Sequence, residues 1–149
     1  MVGFVSTVSN CYNTGEVTGY GNWTGGVMGY VDSSAATVSV SNCYNSGSVK
    51  GLAHTGGVVG FFKGASGQGS VIKCYSKGQV TGTRNVGAVI GYQYSTTGLN
   101  ILNHLYYLNT VGIGAISGED NESNNIMSTT ENITSYKQFL QWIQGKSQI

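Results

Sequence analysis

The feature that most constrains this 149-residue chain is that it matches itself at an interval of about thirty-one residues. Cys11, Cys43 and Cys74 stand 32 and 31 residues apart, and the segments around them align: NCYNTGEVTG at 10–19, NCYNSGSVKG at 42–51 and KCYSKGQVTG at 73–82. A second block follows each one, GGVMGY at 25–30, GGVVGF at 56–61 and GAVIGY at 87–92. A unit of this size is too small to bury an apolar face alone, so copies must stack to share a continuous core.

The step from the last Gly of the second block to the next Cys is fourteen residues, from Gly29 to Cys43 and from Gly60 to Cys74, and the same step from Gly91 reaches Leu105. A degraded fourth copy therefore begins there, with Tyr106 in the tyrosine column and Val111 in the valine column. At the other end VGF at 2–4 resembles the close of a preceding block, so the chain is expected to start inside a longer array. The expected organisation is a repeat array over 1–117, with units near 8–37, 40–70 and 71–101 and a partial unit at 102–117. A polar linker and an amphipathic helix then fill 118–149.

Each unit holds short β-rich runs such as TVSVSNCY and GGVVGFF between Gly-containing turns, room for three short strands. The expected fold is all-β: a parallel β-solenoid, β-helix-like, whose stacked coils place equivalent residues about 4.8 Å apart. A stacked β-hairpin prism fits the same period and remains the alternative. Val8, Val40, Val71 and Leu102 precede the cysteine column by three residues. That odd spacing cannot keep both columns on one face of a straight strand, so a bend or bulge intervenes or both faces are covered. Tyr136, Phe139, Leu140 and Ile143 recur at helical spacing, with Thr134 or Ser135 as the start. Ser128 with Glu131 is a candidate capping box. The helix is expected to lay Phe139 and Trp142 on the last coil as a C-terminal cap, because an open coil end exposes unpaired strand edges.

Composition narrows the function classes. Charged residues are 9% of the chain and the formal charge is +1, which separates it from disordered chains with high net charge. The seven Lys and Arg are scattered singly, so no basic patch suited to nucleic acid exists. No apolar run approaches the roughly eighteen residues of a membrane helix, so no membrane insertion is expected, and the N-terminus lacks the pattern of a signal peptide.

Candidate chemistry is sparse. The cysteines share a column whose fourth member is Leu105, so they read as a buried stack of free thiols rather than a disulfide or metal site. His54 and His104 fall in different columns, far from zinc-ligand spacing. Glu16 and Asp32 are the carboxylates of the array, in different columns, and do not form a catalytic pair. Glu119, Asp120 and Glu122 cluster beside asparagines that could add calcium ligands, but a solvated connecting loop is the favoured reading. No nucleophile elbow, zinc-protease helix or phosphate-binding loop occurs, so no catalytic residue, metal or cofactor is expected. The variable loops at 20–24, 52–55 and 83–86 occupy equivalent positions, and Tyr20, Trp23, His54 and Arg84 are the candidate ligand contacts for a host protein or glycan.

The repeated N-C-Y-N-x-G-x-V-x-G followed by G-G-V-x-G-[YF] resembles the GLUG motif, over about residues 8–117, with Ala88 in place of a second Gly. The resemblance implies a noncatalytic repeat module of a bacterial cell-surface or secreted, adhesin-like protein. Such a module acts as a rigid spacer with a ligand-binding surface, within a longer parent chain. A carbohydrate-binding or polysaccharide-processing β-helix and a noncatalytic segment of an immunoglobulin A metallopeptidase are the other readings.

Overall fold

A computed structural model describes residues 7–33, 37–64, 69–95 and 100–146. The VGF segment at 2–4 lies outside them. The first repeat contributes β1 (Thr7–Ser9), β2 (Tyr12–Asn13), β3 (Val17–Thr18), β4 (Thr24–Gly25) and β5 (Met28–Asp32). The second contributes β6 (Val38–Ser41), β7 (Tyr44–Asn45), β8 (Val49–Lys50), β9 (Ala53–Gly56) and β10 (Val59–Gly64). In the third the first two segments fuse into β11 (Gly69–Ser76), followed by β12 (Val80–Thr81), β13 (Arg84–Gly87) and β14 (Ile90–Ser95). After these come β15 (Ile101–Leu108), β16 (Ile126–Thr129) and one helix, α1 (Tyr136–Lys146).

The protein is mostly β, with parallel sheets. Every ladder between these strands is parallel. Antiparallel hairpin ladders, which the prism alternative requires, are not what joins them. The strands sort into a seven-stranded sheet (β1, β6, β11, β15 and β16, with β2 and β7 alongside) and three-stranded sheets β3–β8–β12, β4–β9–β13 and β5–β10–β14. Partners are equivalent repeat positions, such as Val8 with Val40, Val40 with Val71, and Val71 with Leu102.

The odd spacing between the valine and cysteine columns is resolved by one left-handed residue per repeat. Asn10, Asn42, Lys73 and His104 have φ of 58°, 54°, 57° and 52°. Each sits immediately before the cysteine column and turns the chain so that Val40 and Cys43 both face inward, where both are fully buried. Asn enters this region most readily among non-glycine residues, which accounts for the Asn of the first two motifs. The column closes with Leu105, paired to Cys74, and Ile126, paired to Leu105.

The fourth motif position forms a ladder of its own. The Asn13 amide donates to Asn45 Oδ1 at 2.9 Å, and the Asn45 amide donates to Ser76 Oγ at 3.2 Å and to the Gly47 carbonyl at 2.8 Å. Asn45 and Ser76 are fully buried, where an unpaired amide would cost about 1–3 kcal/mol. That requirement explains the second Asn of N-C-Y-N.

Beyond the repeat array the strand ladder runs on: β16 continues it after an interval of 21 residues, from Leu105 to Ile126, instead of 31. The expected position of the helix is corrected, because α1 does not close the end of the ladders. It lies along the outside of the seven-stranded sheet, over the tyrosine column. Tyr136 stacks on Tyr12 at 4.6 Å, Phe139 meets Tyr44 at 5.6 Å, and Trp142 meets Tyr75 at 5.7 Å and Tyr106 at 5.0 Å. Lengths explain the fit: eleven helical residues span about 16 Å, and three strand spacings about 14 Å. The approach segment is pinned by Tyr44 Oη donating to the Ile133 carbonyl and Tyr75 Oη to that of Glu131, both at 2.8 Å. Ser135 caps the helix by accepting from the Gln138 N–H at 3.1 Å, whereas Ser128 lies in β16. The chain thus has two apolar clusters, one enclosed by the sheets and one between the tyrosine column and α1.

Candidate functional site: an outward aromatic strip

The second block of each repeat ends in an aromatic residue, and parallel pairing sets these in register: Tyr30 beside Phe61 and Phe61 beside Tyr92. Their ring centroids lie 5.3 and 5.5 Å apart, and the rings stack at interplanar angles of 13° and 30°. They take no part in the enclosed cluster; they form an external row on the sheet β5–β10–β14.

Two of the sequence candidates join this row. Trp23, 51% exposed, packs 4.7 Å from Tyr30 and 6.2 Å from Phe61. His54 occupies the equivalent position one repeat on, with φ of 48°, and its ring lies 5.1 Å from Phe61 and 5.2 Å from Tyr92. Burial, followed by the positive charge of Arg84, lowers the His54 pKa, so its imidazole is neutral at physiological pH. Arg84 is exposed, in register with Ala53 at the margin of the strip. Tyr20 is 87% exposed and stands apart from the row of ring contacts.

Sequence reasoning missed Tyr30, Phe61 and Tyr92, although the signal was available in the shared [YF] of the second block. A parallel outer line lies two residues further on: Asp32, Lys63 and Tyr94 are in register. Tyr30 Oη donates to Asp32 Oδ2 at 3.1 Å. The result is a firm, largely apolar surface edged by one carboxylate and two cationic groups. Its rings are positioned by strands, so a ligand meets them with little ordering cost.

The other candidates are occupied structurally. Cys43 and Cys74 are buried and Cys11 is half-buried, all as free thiols; each sulfur approaches the carbonyl two residues earlier, at 3.3 to 3.5 Å. Contact with the Cys43 sulfur, reinforced by burial, pushes the Cys74 thiol well above its ordinary range, which favours the protonated thiol. Glu16 accepts from Ser48 Oγ at 3.4 Å beside β3, whereas Asp32 ends β5. Asp120 accepts from Tyr107 Oη at 3.0 Å and from the Ala115 N–H at 2.9 Å. Glu119, Asp120 and Glu122 do line an open cleft of about 590 Å³ with Leu102, Ile116 and Ile126. Among the described residues, no three His, Cys, Asp or Glu side chains converge as a metal site would require. No described helix is long and apolar enough to cross a membrane.

Comparison of the chain with protein families, with curated proteins and with solved structures gives no match.

Proposed function

We propose that this chain is a segment of a parallel β-solenoid of about 31-residue GLUG-like repeats, serving as a noncatalytic module of a bacterial cell-surface or secreted, adhesin-like protein. It acts as a rigid spacer within a longer parent chain and displays the aromatic strip to a glycan or host protein. The observation that carries the reading is the strip itself, Trp23, Tyr30, Phe61, Tyr92 and His54, repeated along the sheet and left facing outward. Aromatic side chains combine large apolar area with a polar tip and dominate contact surfaces of this kind. A carbohydrate-binding β-helix is the second reading, favoured by the regular ring spacing; it differs in requiring glycans alone as ligands.

The test is binding of the chain to arrayed glycans and immobilised extracellular host proteins, with Trp23→Ala and Tyr30→Ala compared at equal thermal stability. Display through the strip predicts a loss of about tenfold or more for a central aromatic contact. Undiminished binding by both variants would remove the strip from the account.

A further inference from the structure

Columns that are sealed in the second and third repeats stand open in the first. Tyr12 is 57% exposed where Tyr44 and Tyr75 are 0%. Cys11 and Asn13 are half-buried where Cys43 and Asn45 are buried.

The backbone bonds between repeats follow a regular pattern. Tyr44 and Ser46 N–H groups donate back to the carbonyls of Cys11 and Asn13 at 3.0 and 2.9 Å, and Tyr75 and Lys77 donate likewise to Cys43 and Asn45. Forward bonds run from Val17 and Gly19 to the carbonyls of Ser48 and Lys50 at 2.9 and 2.8 Å. Continued one step, the pattern directs the N–H groups of Tyr12 and Thr14 and the carbonyls of Glu16 and Thr18 to the open side.

Two glycine columns agree. A Cβ on Gly47 would run into the Gly15 carbonyl, and one on Gly78 into the Gly47 carbonyl; a Cβ on Gly60 or Gly91 would come within 2.6 Å of the carbonyl of Gly29 or Gly60 respectively. These glycines are required by the preceding repeat. A Cβ on Gly15, by contrast, would meet only Asn13 Oδ1 among the described residues, at 3.9 Å, and one on Gly29 would meet the Trp23 carbonyl of its own repeat at 3.0 Å. Neither has the positive φ that would call for glycine on conformational grounds.

We propose that this edge is a docking surface for one more repeat of the same motif, entering in parallel register ahead of the first. The inference rests on the solenoid reading above and on continuity with the ladder already formed between the repeats. The incoming tyrosine lies over Tyr12, its carbonyls pass against Gly15 and Gly29, and its ladder amide donates to Asn13 Oδ1, as the Asn13 amide donates to Asn45 Oδ1. Among the described residues nothing pairs with this edge, and an open strand edge is otherwise a site of indiscriminate pairing.

The experiment inserts a copy of residues 39–69 between residues 6 and 7 of the full chain, then compares Gly15→Ala and Gly47→Ala in the original and extended proteins. Gly47→Ala is expected to lower Tm by roughly 5 °C or more in both. Gly15→Ala should leave the original unchanged and lower Tm by a similar amount in the extended chain, where Cys11 also becomes protected from a thiol reagent. Equal behaviour of Gly15→Ala in both proteins, or Cys11 labelling undiminished by the insert, overturns the proposal. Indifference to Gly47→Ala overturns instead the stacked register on which it rests.

Discussion

Phe139→Ala tests how the C-terminal helix is held. Phe139 is fully buried between α1 and the tyrosine column, 5.6 Å from the Tyr44 ring and 6.4 Å from that of Tyr75. Truncating a buried Phe costs about 3–5 kcal/mol, of which about 0.5–1.5 belongs to aromatic pairing. For a chain of this length that is a fall in Tm of about 10 °C if the helix and sheet unfold together. Repeat stacks can melt in parts, so a local probe is needed beside the thermal scan. Tryptic cleavage after Lys137 and Lys146, both exposed on α1, supplies it and should accelerate in the variant. A double-mutant cycle of Phe139→Ala with Tyr44→Ala should give a coupling of about 0.5–3 kcal/mol, as for residues in contact. A loss under about 0.5 kcal/mol with unchanged proteolysis would refute the docking of α1 on the tyrosine column.

Two further outcomes follow from buried polar groups. Thr55 is fully buried with its hydroxyl unpartnered, between Thr24 and Val86 in its column; Thr55→Val should raise stability by about 1 kcal/mol in urea unfolding, and a loss would show that the hydroxyl is satisfied. Burial pushes the Tyr75 phenol up from its ordinary 10.0 to about 12. A folded pKa above the unfolded one means that the contribution of this group to stability is complete below pH 10 and lost as pH rises toward 12. Tyrosinate absorbance and unfolding free energy followed together should therefore change over that window in the wild type, and less in Tyr75→Phe.

Much of the architecture was legible because the repeat acts on strand pairing directly. The self-match sets which residues can be neighbours, and Val40, Val71 and Leu102 pair as the alignment requires. The three-residue offset between the valine and cysteine columns implied a bend or bulge, or cover on both faces, but not that left-handed residues at 42 and 73 make the turn. What escaped was which columns face outward once that turn is made. Tyr44 and Tyr75 could have pointed into the enclosed core; the turn instead places them outside, where an apolar column needs cover, and that need draws α1 to the flank. The last strand was hidden because the loop before it shortens the interval and Ile126 carries no motif. At the candidate site, Trp23 and His54 were visible as unusual loop residues, while Tyr30, Phe61 and Tyr92 were masked by their regularity.

The parallel register is most directly measured at Thr18, Lys50 and Thr81, exposed residues that occupy one column of the sheet β3–β8–β12. Spin labels placed there in pairs, on a chain carrying Cys11→Val, Cys43→Val and Cys74→Val, should show strong dipolar broadening for Thr18 with Lys50 and for Lys50 with Thr81, with backbones about 5 Å apart. The Thr18 and Thr81 pair should show weaker coupling, from backbones about 10 Å apart. Absence of coupling between adjacent repeats, or equal coupling in all three pairs, would contradict the stack.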